Sequence, residues 1–301
     1  MWRDRLRPRL KALLPRALRR GLRACLHYTQ RVGRWPIILW QVRGDGWSDR
    51  WTLIRSAFAS IVLSLRTPLQ WQDPVLLADA RVHVPGVGRF MLRAHSDDLW
   101  HVLPWREQGV FEAIAALLRA GDTFVDAGAN IGVYTVLASQ RVGAGGRVVA
   151  VEMMPDTAAR LERHIRLNRL DNVTLVRKAL DRTGGLAVTA QVEAGKYGKA
   201  RLVDAAAADG PAARVTVSTV TLDESVPHTG PVRLMKMDLE GAELGALQGA
   251  SALLSRLDHL IYEAWGNAAA GLEPVDALLI GLGFSIRAID GNNRLASRPR
   301  T

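Results

Sequence analysis

The reading of this chain turns on Thr123-Phe-Val-Asp126-Ala127-Gly128-Ala129-Asn130-Ile131-Gly132. A strand-like run, Thr123–Asp126, enters a turn with glycine at 128 and 132, and a helical pattern, Ile131–Gln140, leaves it. Glycine at a strand–helix turn lets backbone approach a ligand closely. Working outward, further strand candidates are Arg147–Glu152, Val173–Val176, Val232–Asp238, His259–Glu263 and Ser285–Ile289. Helical stretches lie between many of them: Asp156–Asn168, Ala242–Leu254 and Val275–Leu282. This alternation predicts an α/β fold, a doubly wound and mostly parallel sheet with helices on both faces. Residues 183–215 interrupt the rhythm and read as an inserted hairpin followed by a loop from Asp204 to Pro211.

The turn also speaks to ligand class. A dinucleotide site favours G-x-G-x-x-G, with helix N–H groups facing a pyrophosphate. Here Ala129 stands at the middle glycine position and Asp126 precedes the first glycine. A carboxylate beside the loop repels a pyrophosphate and suits the ammonium group of S-adenosylmethionine (SAM), which carries no phosphate. Glu152, at the end of the second strand and 24 residues after Gly128, is placed to accept hydrogen bonds from both hydroxyls of a ribose. It fits any nucleoside, so the preference for SAM over NAD rests on the sign of charge at Asp126. Taken singly, Asp126 reads equally well as a helix cap and Glu152 as a solvated strand end; the combination is what carries the reading.

These segments resemble the FkbM family of SAM-dependent methyltransferases. The resemblance lies in Gly121-Asp-Thr-Phe-Val-Asp-Ala-Gly-Ala-Asn-Ile-Gly132, Val149-Ala-Val-Glu152, Asn172-Val-Thr-Leu-Val176 with Ala179-Leu180, and Lys236-Met-Asp-Leu-Glu-Gly-Ala-Glu243. Tyr262-Glu263 and Gly283-Phe284 are similar too, so about residues 107–290 are covered. The last long segment is the discriminating one. The resemblance implies a seven-stranded class I methyltransferase sheet and O-methylation of a hydroxyl on a sugar, glycan, glycolipid or other small molecule. The cofactor-binding set is then Asp126, Gly128, Ala129, Asn130, Gly132, Glu152 and Ala179. Met153-Met154 departs from the more usual polar residue after the acid and points to an altered adenine edge.

Ligands of a parallel sheet sit beyond the carboxyl ends of its strands. Asp238 closes the strand Val232-Arg-Leu-Met-Lys-Met-Asp, and period-two alternation puts Lys236 on the same side. Methylating a hydroxyl requires loss of its proton, so Asp238 is read as the base, or as the group that orients acceptor and SAM. A purely structural Lys236–Asp238 pair is the plainer alternative. Glu240 is a candidate substrate contact, whereas Glu243 is sufficiently explained by the dipole of the helix it begins. Glu263 ends the next strand and is an alternative base. Three acids at one rim suit Mg²⁺, but no dedicated ligand spacing is present, so no metal is expected. The histidines, among them His101 and His164, read as non-catalytic.

The front third differs in composition. The 301 residues carry a net charge of +11, and residues 1–34 hold eleven of the Lys and Arg against one acid, Asp4. The rest is near neutral, which argues against a nucleic-acid enzyme with a basic body. A lone cysteine, Cys25, excludes an intrachain disulfide. Amphipathic helices are predicted over Arg16–Tyr28 and for a stripe of Trp47, Trp51, Ile54, Phe58, Ile61 and Leu65. Residues 76–95 read as a hairpin around Pro85-Gly86-Val87-Gly88, followed by a helix from Phe111 to Arg119. The expected organisation is a basic arm (1–45), a helix-and-hairpin extension (46–106) and the methyltransferase domain (107–301). The arm is expected to contact an anionic membrane, with Trp2, Trp35 and Trp40 as interfacial residues, and to be dispensable for folding. No stretch is long enough to span a bilayer, so the location expected is cytoplasmic, peripheral to the inner face of a membrane. A solvated tail or a transit peptide are the alternatives for the arm. For the whole chain they are an oxidoreductase, a nucleic-acid methyltransferase, or a catalytically silent scaffold at a membrane surface.

Overall fold

The computed structural model describes residues 16–66, 73–203, 212–264 and 273–298. Trp2, Trp71 and the predicted loop at 204–211 lie outside them. Helix α1 (Arg16–Gln41) runs well past the predicted end at Tyr28 and continues through Pro36. Trp35, Ile38 and Val42 explain the extension, because all three are buried in the main core. A short β1 (Arg43–Gly44) leads to α2 (Trp47–Arg66), and the two helices pack on each other. The hairpin β2 (Ala80–Val84) and β3 (Gly88–Leu92) forms as predicted, with alternating burial, and β1 pairs antiparallel with β2. Then come α3 (Asp98–His101), a 3-10 turn at Pro104–Glu107, and α4 (Gln108–Leu117).

The alternating α/β part follows as β4 (Thr123–Ala127), α5 (Val133–Val142), β5 (Arg147–Val151), α6 (Pro155–Leu167) and β6 (Val173–Val176). Next are β7 (Ala179–Leu180), β8 (Ala187–Val192), β9 (Arg201–Val203), β10 (Ala213–Val220) and α7 (Leu222–Ser225). The chain closes with β11 (Val232–Met237), α8 (Glu243–Gln248), α9 (Ser251–Ser255), β12 (Leu257–Glu263), α10 (Pro274–Gly281), β13 (Ser285–Asp290) and β14 (Asn293–Ser297). Seven strands form one sheet in the order β13-β14-β12-β11-β4-β5-β6. All its pairs are parallel except those of β14, which runs against both neighbours. The central strands β4, β5 and β11 are buried almost throughout, as a sheet covered on both faces requires.

Three differences from the sequence reading have local causes. Strand β14 was not foreseen, because Asn293-Arg-Leu-Ala-Ser carries only two apolar residues. The single helix expected at Ala242–Leu254 is two short ones, broken at Gly249. The insertion is more than a hairpin: β8 pairs antiparallel with both β9 and β10, and β10 runs parallel to β7.

Packing does not respect boundaries at residues 45 and 106. One core cluster runs from Trp35 and Ile38 through Leu53, Val82, Phe90 and Leu103 to Phe124, Tyr134 and Ile261 of the α/β part. Truncation at residue 45 would remove buried side chains from it. Trp35, at 2% exposure, is a core residue and not an interfacial one. Among the described residues no helix is long and apolar enough to cross a membrane.

Candidate active site

The carboxyl ends of β4, β5 and β11 are level. Lys236 lies opposite Asp126, and Asp126 opposite Ala150. Beyond these positions the loops are tied together by backbone: Gly128 and Ala129 N–H both donate to the Val151 carbonyl (3.0 and 2.9 Å), and Asp238 N–H donates to the Ala127 carbonyl (3.0 Å). Gly128 adopts φ +82°, and a Cβ there would lie 2.0 Å from the Asp238 carbonyl oxygen. No side chain fits between the two loops. Asn130 and Glu240, φ 49° and 51°, are held in the left-handed region at the same rim, where non-glycine residues are uncommon.

Glu152 clamps the turn. Its Oε2 accepts from Asn130 N–H and its Oε1 from Met154 N–H, both at 2.8 Å. Burial pushes its pKa up to about 7, against the pull of those two hydrogen bonds. Each carboxylate oxygen has a second lone pair to offer.

A cleft opens beside this turn. Of the predicted cofactor set, Gly128, Ala129, Asn130, Glu152 and Ala179 line it; so do Lys236, Asp238 and Glu240. Met153 is on its wall, while Met154 turns into a small core with Ala179 and Val192. Asp126, Gly132 and Glu263 are not on the wall. Asp126 is fully buried beneath the turn, where its Oδ2 accepts from Thr135 Oγ1 (2.6 Å) and burial raises its pKa. The carboxylates on the wall itself are Glu152, Asp238 and Glu240, and Asp126 is not among them. Gly132 accommodates α6, since a Cβ there would lie 2.1 Å from Leu161 Cδ1. Glu263 is half-buried behind the rim, where burial and the charges of Asp238 and Glu107 push its pKa up to about 7.

At the other end of the cleft, buried Lys236 Nζ sits 3.1 Å from Asp238 Oδ2. Burial would raise the Asp238 pKa, but Lys236, Arg106 and His101 outweigh it and hold the carboxyl below its ordinary value. Burial would lower that of Lys236, but Asp238, Glu107 and Asp126 outweigh it and raise the ammonium. Lys236 also lies 5.0 Å from the ring of Tyr134. The Tyr134 hydroxyl donates to the Glu107 carboxylate, which is paired with Arg106 at 2.8 Å. Glu243 is structural: it is buried, and its carboxylate accepts Leu239 N–H at 2.9 Å.

The remaining wall comes from segments in which the sequence shows no motif. His101 and Arg106 reach it from the extension, and Tyr197, Gly198, Ala200 and Leu202 from the insertion. Asp97 joins the two, accepting Tyr197 and Gly198 N–H (both 3.0 Å) while facing His101 Nε2 at 3.3 Å. The Arg93 guanidinium lies 3.6 Å from the Tyr197 ring centroid. Gly198 is closely sandwiched, with its would-be Cβ 2.1 Å from His101 Nε2 and 3.0 Å from Asn130 Nδ2. His101 thus belongs to the site. His164 does not: it is buried, accepts Met91 N–H (2.9 Å) at Nε2 and donates from Nδ1 to the Ile131 carbonyl (2.7 Å).

The wall fits SAM. Asn130 Oδ1 is buried without a hydrogen-bond partner, an acceptor suited to an ammonium group. Glu152 has acceptor capacity for ribose hydroxyls, and the carboxylates around the turn disfavour a pyrophosphate. Among the described residues no cluster of three His, Cys, Asp or Glu side chains is placed to hold a metal ion.

The chain is similar to several known proteins. Over 43 residues, 14% of this chain, it is 49% identical to ribosomal RNA large subunit methyltransferase E of Sorangium cellulosum; the match spans a fifth of that protein's length. Its fold is similar to that of methyltransferase FkbM from Methylobacillus flagellatus (16% identity, TM-score 0.41), covering 89% of this chain and 59% of that one. It is similar also to an rRNA methylase from Streptococcus thermophilus (15% identity, TM-score 0.40), covering 66% and 98%. Residues 126–280, slightly more than half of the chain, match the family described as the methyltransferase FkbM domain. The chain therefore belongs to the FkbM family of SAM-dependent methyltransferases.

Proposed function

We propose that this protein transfers a methyl group from SAM to a hydroxyl of a sugar, glycan, glycolipid or other small molecule. The observation that carries the reading is the ion pair of buried Lys236 with half-buried Asp238 on the wall of a cleft that Glu152 also lines. When bound, SAM supplies an electrophilic methyl on a sulfonium centre. Glu152 binds the ribose hydroxyls and keeps the 128–130 turn in register through Asn130 N–H. Asn130 Oδ1 takes the ammonium group. Asp238 accepts the acceptor's hydroxyl proton, and Lys236 keeps that carboxylate ionised.

A base held below its ordinary pKa is poor at removing a proton from a free alcohol. The proton becomes strongly acidic once the oxygen has begun to bond to carbon, so a late transfer to Asp238 is favourable. Glu263 has a pKa better matched to neutral pH but sits behind the rim, so it serves as second proton holder. Arg106 and the Tyr134–Glu107 pair border the acceptor end and set its shape.

The nucleic-acid alternative rests on the 43-residue similarity to the ribosomal RNA enzyme. Against it stands a catalytic body near neutral in charge. An acceptor panel of free glycans, lipid-linked sugars, small hydroxy compounds and ribosomal RNA fragments, read by mass spectrometry, separates the two. Methylation of a sugar hydroxyl outside nucleic acid is the expected result. Methylation of RNA alone would overturn the proposal.

A further inference from the structure

The apolar stripe predicted on α2 faces outward. Trp47 (85% exposed), Trp51, Ile54, Phe58 (69%) and Leu65 are all exposed, while the opposite face buries Leu53, Ser56, Ala57 and Ser64. Ser56 and Ser64 suit that packed face because each hydroxyl donates to the carbonyl four residues back, and Ser56 Oγ also accepts Leu77 N–H. The stripe is about 27 Å long at 1.5 Å per residue. On α1, which packs against α2, Leu22, Leu26, Ile37, Leu39 and Trp40 (75%) are exposed as well. Isolated exposed apolar residues are ordinary; a stripe repeated along one helix, beside a second helix with exposed apolar residues, marks a surface that meets something.

Charge identifies the partner. Residues 16–66 contain ten arginines against two aspartates, Asp45 and Asp49, and of the ten Arg31 and Arg34 are buried. Asp45 lies 3.9 Å from Arg89, and the Asp49 carboxylate accepts Gly46 and Arg81 N–H. On α2 itself, Arg50, Arg55 and Arg66 are exposed, and the Arg50 guanidinium lies 5.8 Å from the Trp47 ring centroid. Two copies meeting on this face would bring like charges together with no acids to offset them. A bilayer with anionic headgroups offers both an apolar layer and the opposite charge. Tryptophan favours the interfacial depth, and arginine stems reach from there to lipid phosphates. Helices that are amphipathic without being apolar overall lie in the interface and do not cross it.

We propose that the outward stripe of α2, with the exposed face of α1, lies in the headgroup region of an anionic membrane and holds the enzyme there. The contact is thus carried within the folded part of the molecule and not by the terminal arm alone. It does not depend on the identity of the methyl acceptor.

The test is flotation of the full chain with phosphatidylglycerol/phosphatidylcholine vesicles and with pure phosphatidylcholine vesicles, at low and high salt. A double variant, Trp51→Glu with Phe58→Glu, alters only exposed side chains, and an unchanged thermal shift with SAM verifies its fold. The wild type should float with anionic vesicles, less at high salt, and the variant should lose at least about tenfold in partitioning. Arg55→Glu with Arg66→Glu should reduce binding most at low salt. Equal flotation of wild type and the apolar variant would overturn the proposal, as would no flotation of the wild type with anionic vesicles. So would a wild-type dimer that this variant splits while vesicle binding stays the same.

Discussion

The two walls of the cleft are built in different ways. The wall proposed for the cofactor is local: Gly128, Ala129, Asn130 and Glu152 lie within 25 residues, and backbone hydrogen bonds between adjacent strand ends set their positions. The wall proposed for the acceptor is assembled from remote stretches. Asp97 and His101 meet Tyr197 and Gly198 about a hundred residues away, and Arg106 and Glu107 meet Tyr134. The first wall is dictated by the sheet and has little room to vary. The second depends on a few side-chain ties, each of which can change without disturbing the sheet.

The sharpest way to break the contrast is at Gly128. Gly128→Ala places a methyl on the Asp238 carbonyl and forces a left-handed alanine, so overpacking and strain together should cost about 2–6 kcal/mol. Thermal unfolding should show a large loss and SAM binding should disappear. A variant with wild-type melting would mean the turn is not packed against β11 as described.

A smaller effect is expected on the acceptor wall. Asp97→Ala leaves the Tyr197 and Gly198 amides without their acceptor, at a cost of about 1–3 kcal/mol. The loss should be local. Hydrogen exchange should accelerate at Tyr197 and Gly198 and remain slow in β4 and β5, with turnover falling more than SAM affinity. Uniform acceleration across the sheet would show that the two walls are a single unit.

The smallest effect concerns pH. Glu152 and Glu263 bind protons more tightly folded than unfolded, since burial raises both to about 7. Their contribution to stability is present below the ordinary carboxylate range and is lost as pH rises through about 7. Ribose hydroxyls donating to Glu152 favour its ionised form, so SAM affinity should rise as pH increases through about 7, by at most about tenfold per unit. Calorimetry in buffers of different ionisation enthalpy should register proton release. Affinity that falls with pH would mean Glu152 is bound as the acid.

The same contrast explains what could be read in advance. Strands β4, β5 and β11 were legible because central strands buried on both faces read as apolar runs; β12 and the edge strands β6 and β13, less buried, were legible from their place in the strand–helix alternation. Glu152, Lys236 and Asp238 followed from strand ends and period-two alternation. Asp126 was assigned to the ligand because charge can be read from sequence and burial cannot; one residue inside the strand end, it faces Thr135. Tyr134, Arg106, Glu107 and His101 had no signal, since their roles depend on tertiary contact between segments without a shared spacing. The α2 stripe was found by its period, but periodicity does not say which face is outside. The packed face proved to be the one with Ser56 and Ser64.

The most direct measurement pairs SAM calorimetry with turnover for wild type, Glu152→Ala and Asp238→Asn. If one cleft holds the nucleoside at Glu152 and the reacting hydroxyl at Asp238, the two variants must fail differently. Glu152→Ala should lose about 1.5–3 kcal/mol of SAM affinity. Asp238→Asn should bind SAM nearly as the wild type does while kcat falls by about 10²–10⁴. Wild-type SAM affinity in Glu152→Ala, or wild-type kcat in Asp238→Asn, would contradict the account.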